Sequence, residues 1–415
     1  MIKEFRFVNW KSFADSTLYI DPLTILIGTN ASGKSNLLDG LSLLSRLAWG
    51  KDISSSLAGD SISPGIRGGL EWAARKPLDH FTLSAVVAGP EERTDFEYSI
   101  EIGTSGRNEL LSESLKRIRY RVNTKNDPFR VTIFSTDGVS EGMPGITARL
   151  YNEKSGTKKE LSRSFSILSQ LANQPLRKEI VEAVSCVVEA LKGIFILDPI
   201  PANMRDYRPF SDTLNSDASN LAGVVAALPE AERKKVEASL TTYVSKLPER
   251  DIRKVYTEPI GKFRKDAMLY CEENWTKDAS PSTVDARGMS DGTLRFIAIL
   301  IALMTRPEKS LLIVEEIDNG LHPSRSGLLL SVLRELGQQR SIDLLVTTHN
   351  PALLDAAGPE MVPFIVMAYR DAASGASELM QLDDIKQLPK LMAGGSVGAL
   401  STNGSLLAVV AKEKA

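Results

Sequence analysis

Cysteine is scarce in this chain: its 415 residues hold two, Cys186 and Cys271, far apart and in no CxxC pair. That excludes a cysteine-built zinc hook and points to buried free thiols in a reducing cytosol. Long apolar runs are missing too. No stretch approaches the roughly 18 residues that span a bilayer, and the N-terminus lacks a signal-peptide pattern. A cytoplasmic protein with no membrane partner is expected. An excess of charge is also absent. The net charge of −2 gives no bulk attraction to nucleic acid, so any such contact must come from a local patch. Sustained a/d heptads do not occur, which excludes a long coiled-coil arm. What is present, 42% hydrophobic and 25% charged residues, is the composition of an ordinary globular protein. The length allows two or three domains around a large core.

The most informative stretch is Gly28-Thr29-Asn30-Ala31-Ser32-Gly33-Lys34-Ser35, directly after the apolar run Leu23-Thr24-Ile25-Leu26-Ile27. A random chain of this length carries the GxxxxGK[ST] pattern only about once or twice in a hundred, and fewer add a strand before it and a helix after it. The spacing predicts a helix from Lys34 with Leu37, Leu38, Leu41, Leu44 and Leu47 on one face. Backbone N–H groups of such a loop, with the helix N-terminus, form a site for a polyanion. Gly28, Asn30, Ala31, Ser32, Gly33 and Asn36 are its expected lining. Lys34 would reach the β- and γ-phosphates, and the Ser35 hydroxyl would sit on Mg²⁺. A nucleoside triphosphate is the expected ligand.

Three later segments carry further chemistry. Ser310-Leu311-Leu312-Ile313-Val314 reads as a buried parallel strand and ends in Glu315-Glu316. Two acids at such a strand end are costly unless a cation or substrate needs them. Glu315 is therefore expected in the Mg²⁺ shell, and Glu316 as general base or positioner of the attacking water. Leu344-Leu345-Val346-Thr347-Thr348-His349-Asn350-Pro351 is a second strand, which Pro351 stops. It leaves His349 at the carboxyl edge, where open α/β sheets place their ligands, and a γ-phosphate contact is expected of it. Gly288-Met289-Ser290-Asp291-Gly292-Thr293 opens an apolar helix, again an N-terminus able to receive phosphate. A surface turn with an N-cap would also explain it, but it lies about 25 residues before the acid pair, in keeping with a nucleotide signature.

In that order, these segments resemble the ABC-type ATPase head, and more closely its RecF/SMC-like branch. Asn9-Trp10-Lys11-Ser12-Phe13, Ser35-Asn36 and the run Glu316 to Pro323 are similar to that branch, with weaker echoes at Arg67-Gly68-Gly69 and Asp217-Ala218-Ser219-Asn220-Leu221. The chain also looks like the ATPases of overcoming-lysogenisation-defect nucleases and of two-gene anti-phage modules. The resemblance implies ATP and Mg²⁺ as cofactors, hydrolysis to ADP and phosphate, and a head-to-tail homodimer with two ATP molecules between heads. Ser290 and Gly292 of one copy would meet the γ-phosphate held by Lys34 of the other. There are departures. Ala31 replaces a common Gly, His322 replaces the usual Asp, and no metal-sensing Gln is evident.

The implied fold class is α/β, a P-loop ABC-type ATPase head: a mixed sheet with an antiparallel β layer, plus an inserted helical lid. The expected division is an N-terminal lobe over 1–155, the lid over 156–276, a C-terminal lobe over 277–371 and a tail over 372–415. Alternation at 80–103, 129–134 and 146–151 predicts antiparallel strands, and 159–192 and 219–276 read as helices. Arg370 to Gly375 reads as a hairpin turn. Two basic clusters stand out. Arg250, Arg253, Lys254, Lys262, Arg264 and Lys265 form one; Lys116, Arg117, Arg119 and Arg121, with Tyr120 among them, form the other. Each is either a DNA phosphate contact or a solvated face mixed with acids such as Glu249. The stretch after Pro351 has no room for a nuclease domain, and Asp383-Asp384 alone is no metal site. The expected role is an ATP-driven switch acting on a separate effector such as a nuclease, in bacterial anti-phage defence. A RecF-like repair ATPase is the alternative, and a transporter subunit is a weaker one. The roles of Arg205 and Arg208 are open.

Overall fold

The computed structural model describes residues 1–60, 64–106, 108–120, 128–139, 143–248, 251–274 and 281–414. The chain begins with β1 (Ile2–Trp10), β2 (Phe13–Tyr19), β3 (Leu23–Ile27), α1 (Lys34–Ala48) and α2 (Ile53–Ala58). Strands β4 (His80–Ala88), β5 (Thr94–Gly103), β6 (Glu109–Arg119), β7 (Phe129–Thr136), β8 (Gly145–Leu150) and β9 (Thr157–Ser162) follow. Next come α3 (Ile167–Leu171), α4 (Lys178–Lys192), β10 (Ile194–Leu197), α5 (Pro201–Met204), β11 (Arg208–Pro209), α6 (Leu221–Ala227) and α7 (Glu230–Val244). After them lie β12 (Ile252–Ile260), β13 (Asp266–Glu273), β14 (Ser282–Asp285), α8 (Asp291–Thr305), β15 (Leu311–Val314), α9 (Ser326–Arg340) and β16 (Asp343–Thr347). The chain closes with α10 (Pro351–Ala357), β17 (Ile365–Arg370), β18 (Ser377–Gln381), α11 (Leu388–Met392), α12 (Val397–Thr402) and α13 (Ser405–Lys414).

Two compact units divide these elements. The first comprises 1–21, 27–194 and 366–381, and the second 22–26, 195–365 and 382–415. In the first unit the strand order is β17-β18-β2-β1-β4-β5-β6-β7-β8-β9. Every pairing from β2 to β9 is antiparallel. Strict alternation is the cause: along β4, Phe81, Leu83, Ala85 and Val87 are buried and their neighbours are not. Helix α1 buries Leu37, Leu38, Leu41, Leu44 and Leu47, each contributing about 1.5–3 kcal/mol relative to an exposed side chain. It lies so close to β1 that a Cβ on Gly40 would come within 2.7 Å of the Phe7 ring.

The second unit carries the strand order β10-β15-β16-β3. β15 runs parallel to β16, and β16 parallel to β3. All residues of β15, β16 and β3 are buried, as strands covered on both faces must be. Helix α8, apolar on nearly all sides, packs against α7 and α9. A smaller sheet in the order β11-β13-β12, with β14 on β13, completes the unit.

The expected antiparallel strands are present, and so is the β17–β18 hairpin. The helical reading of the insertion needs correction. Residues 157–162 form β9, and among the described residues the helical reading of 219–276 holds only to Val244; 249–250 and 275–276 lie outside them. Beyond it, Val255 and Thr257 alternate inward between exposed Lys254 and Glu258, a period of two that abundant Lys, Arg and Glu disguise as helix. Within the expected tail, α12 packs on α10 so closely that a Cβ on Gly398 would lie 2.3 Å from the Pro351 carbonyl oxygen.

Candidate functional site

Three parallel strands of the second unit end together. Val314 of β15 is opposite Val346 of β16, and Thr347 of β16 is opposite Leu26 of β3. Beyond these ends come Glu315-Glu316, His349 and the Gly28 loop, in that strand order. The Thr348 N–H donates to the Leu26 carbonyl at 3.2 Å, and the Ile317 N–H to the Thr347 carbonyl at 3.1 Å, so each loop leaves from a fixed point.

Glu316 departs from strand geometry at once, with φ of 43°, a left-handed conformation costing a non-glycine residue about 1 kcal/mol or more. Its N–H donates to Thr347 Oγ1 at 2.8 Å, and its Oε2 accepts from Asn319 Nδ2 at 3.3 Å. The carboxylate is exposed, while Glu315 is half-buried with its N–H on the Leu197 carbonyl at 3.0 Å. Thr348 Oγ1 donates to Asp318 Oδ1 at 2.5 Å, so the acid-pair loop is latched to the strand that carries His349. His349 is exposed at the strand end. His322, where an Asp was expected, caps the next turn by accepting from the Ser324 N–H at 3.3 Å.

The signature segment lies in the same unit. Ser290 is the N-cap of α8, its Oγ accepting from the Thr293 N–H at 3.1 Å. Gly292 faces the loop after the acid pair so closely that a Cβ would come within 2.6 Å of the Gly320 carbonyl oxygen. One residue that the sequence left open orders this segment. Arg205 Nη1 donates to the carbonyls of Ala286, Arg287 and Met289 at 3.1, 2.8 and 2.8 Å, and Nη2 donates to Asp291 Oδ1 at 2.5 Å. No local motif could have flagged it, because its partners lie more than 80 residues away.

The loop at 28–35, the candidate phosphate site, belongs to the first unit. Gly28, Ala31 and Gly33 take φ of 150°, 63° and 112°, so Ala31, where a glycine is common, holds a left-handed conformation that strains a residue with a Cβ. Glycine is required at both ends: a Cβ on Gly28 would meet the Ala368 carbonyl oxygen at 2.3 Å, and one on Gly33 the Ser377 Oγ at 2.5 Å. Helix α1 starts at Lys34 with no side-chain cap and no acid in its first turn, which leaves its N–H groups and positive dipole end for an anion. Ser32 Oγ is buried without a partner, an orphan hydroxyl that a phosphate oxygen would satisfy. Lys34 Nζ donates to the carbonyls of Gly28 and Thr29, which keeps the ammonium over the loop. Arg370, read in sequence only as part of a turn, donates from Nε to the Ala31 carbonyl at 3.1 Å and braces the strained residue.

A cleft of about 390 Å³ adjoins this loop, lined by Lys11, Ser12, Asn36, Trp72, Arg75 and Arg370 among others. Asn36 Nδ2 donates to Ser12 Oγ at 2.8 Å. The Lys11 ammonium is half spent, on Asp39 at 2.5 Å and the Arg67 carbonyl at 2.6 Å, and burial pushes its pKa down against the pull of Asp39. Trp72 is 61% exposed, a ring open to stacking.

A family model described as "AAA domain, putative AbiEii toxin, Type IV TA system" matches residues 23–355. The chain belongs to this AAA-domain family. No curated protein matches the chain in sequence. A solved SMC head bound to the C-winged helix domain of ScpA aligns with a TM-score of 0.52 at 12% identity, over 92% of this chain and 99% of that one. An Smc head with an extended coiled coil, bound to the C-terminal domain of ScpA derived from Pyrococcus furiosus, aligns with a TM-score of 0.50 at 11% identity, over 94% and 99%. At these identities the likeness is one of fold, and the AAA domain has the fold of an SMC-type P-loop ATPase head.

No group of three or more His, Cys, Asp or Glu residues able to hold a metal occurs among the described residues of the AAA domain. Mg²⁺ bound with a nucleotide needs only one or two protein oxygens, the rest coming from phosphate and water, and a hydroxyl with a carboxylate suits it. No helix among the described residues is long and apolar enough to cross a membrane. The basic cluster on β6 is paired in part: Lys116 with Glu97 at 3.9 Å and Arg119 with Glu91 at 3.0 Å, while Arg117 Nε is buried without a partner. Arg121, Glu249 and Arg250 lie outside the described residues.

Proposed function

We propose that this chain binds and hydrolyses ATP with Mg²⁺, and that the nucleotide state switches a separate effector. The observation that carries the reading is the common edge of β15, β16 and β3, from which the acid pair, His349 and the phosphate loop all leave. In this reading the loop amides and Ser32 Oγ cradle the phosphates, and Lys34 neutralises the β- and γ-phosphates. Ser35 and Glu315 would hold Mg²⁺, which supplies charge neutralisation at the phosphoryl group. Glu316, exposed and turned out of the strand, orients the attacking water and takes its proton. His349 contacts the γ-phosphate from the neighbouring strand end. The cleft beside Asn36 receives the nucleoside, with Trp72 offering a stacking face.

Ser290 and Gly292 would act on the γ-phosphate of a second copy, head to tail, making each site composite. The family description names a toxin and a toxin–antitoxin system, and both solved heads carry a bound ScpA domain. These support control of a partner protein, and we infer a role in anti-phage defence in the cytoplasm with a nuclease as effector.

Nucleotide binding and phosphate release measured on two variants test the reading. Glu316→Gln should keep ATP binding and lower hydrolysis by about a hundredfold or more, the usual share of a positioned base. Lys34→Ala should lose binding itself. Undiminished hydrolysis by Glu316→Gln would remove Glu316 from the mechanism.

A further inference from the structure

Strands β12 and β13 pair antiparallel up to Ile260 opposite Asp266, and Gly261-Lys262-Phe263-Arg264-Lys265 joins them. The turn is tight: Gly261 and Arg264 both take left-handed φ, 77° and 50°, and the Arg264 N–H donates to the Gly261 carbonyl at 3.2 Å. Its tip presents Phe263, which is 80% exposed and more so than any other large hydrophobic residue described. A lone ring held out on a short hairpin serves no core. Two further aromatics, Tyr207 and Phe210, are 53% and 39% exposed, and the Phe210 N–H donates to the Lys265 carbonyl at 2.9 Å. Phe210 therefore lies beside the turn, and Tyr207 lies next to β11, which pairs with β13.

Three cations surround the exposed ring in sequence. Lys262, Arg264 and Lys265 form no ion pair among the described residues. Lower on the same hairpin, Lys254 is paired with Glu272 at 3.5 Å and lies over the Tyr256 ring at 4.6 Å. Cations kept unpaired around an exposed ring suit a ligand with both anionic and flat apolar groups. An acidic peptide would use the cations and leave the ring in water. A lipid surface also accepts an aromatic ring beside cations, and vesicles serve as the competing ligand in the test. A nucleic acid strand with unpaired bases supplies both groups: base faces stack on aromatic rings regardless of sequence, and phosphates meet Lys and Arg.

We propose that the β12–β13 hairpin tip is a contact for single-stranded nucleic acid, with Phe263 stacked on an unpaired base and Lys262, Arg264 and Lys265 on the flanking phosphates. Fluorescence anisotropy on the full chain tests this, using labelled oligothymidylate, the matching duplex and phosphatidylserine vesicles over a range of salt. The wild type should bind the single strand more tightly than the duplex. Phe263→Ala should weaken single-strand binding about tenfold, the scale of one stacked base, with duplex binding little changed, and Phe263→Trp should restore it. Replacing the three cations by Gln should weaken both and lower the single-strand salt slope by about two. The unfolding midpoint of each variant, expected to match the wild type, separates loss of contact from loss of fold. The proposal is overturned if the wild type fails to bind oligothymidylate, if Phe263→Ala leaves single-strand binding unchanged or weakens both forms equally, or if vesicles bind and oligonucleotides do not.

Discussion

Glu113 shows how one buried group ties local structure to pH. It sits on β6, 2% exposed, and its carboxylate accepts from the N–H groups of Ile167 and Leu168 at 2.6 and 2.8 Å and from the Tyr98 hydroxyl at 3.0 Å. These bonds start α3 and favour the ionised form, but burial outweighs them and pushes the pKa up to about 7. A raised carboxyl pKa means that the folded state holds a proton the unfolded chain has already lost. Its contribution to stability is therefore full below pH 4.5, declines as pH rises towards 7 and is lost above that. Urea unfolding of wild type and Glu113→Gln across this window should show the wild-type advantage shrinking as pH rises. A difference between them that does not vary with pH would mean that Glu113 is ionised throughout.

At the scale of elements, Arg205 makes the N-terminus of α8 a defined structure. Its guanidinium collects three carbonyls and Asp291, charge-assisted bonds worth about 1.5–3 kcal/mol each when made well. Arg205→Ala should leave ATP binding by the phosphate loop intact and lower the turnover rate at least tenfold, by freeing Ser290 and Gly292. Arg205→Lys should recover part of it, since an ammonium meets some of these acceptors but not the whole fork. Equal turnover in Arg205→Ala and wild type at saturating ATP would show that the segment needs no such brace. This element also marks where sequence reading ends. The loop at Gly28–Ser35, the strand before Glu315 and the cap at Ser290 are legible because each is fixed by neighbouring residues at set spacing. Arg205 and Arg370 are not legible, because their partners Met289 and Ala31 lie 84 and 339 residues away. The β12–β13 hairpin was hidden for another reason. Its outward positions Arg253, Lys254 and Glu258 are good helix formers, and the inward Val255 and Thr257 are too few to declare a period of two.

At the scale of the whole molecule, the candidate groups are split between two compact units. Lys34 and Ser35 belong to the first; Ser290, Glu315, Glu316 and His349 belong to the second. The proposal of a switch rests on the assembly of two copies depending on ATP. The most direct test is the mass of Glu316→Gln by size-exclusion chromatography with light scattering, with and without saturating Mg²⁺-ATP. The account predicts one chain of 45.3 kDa without nucleotide and twice that mass with it, the dimer reverting to one chain when Ser290→Arg is added. A single chain at saturating ATP, in a variant that still binds the nucleotide, would contradict it.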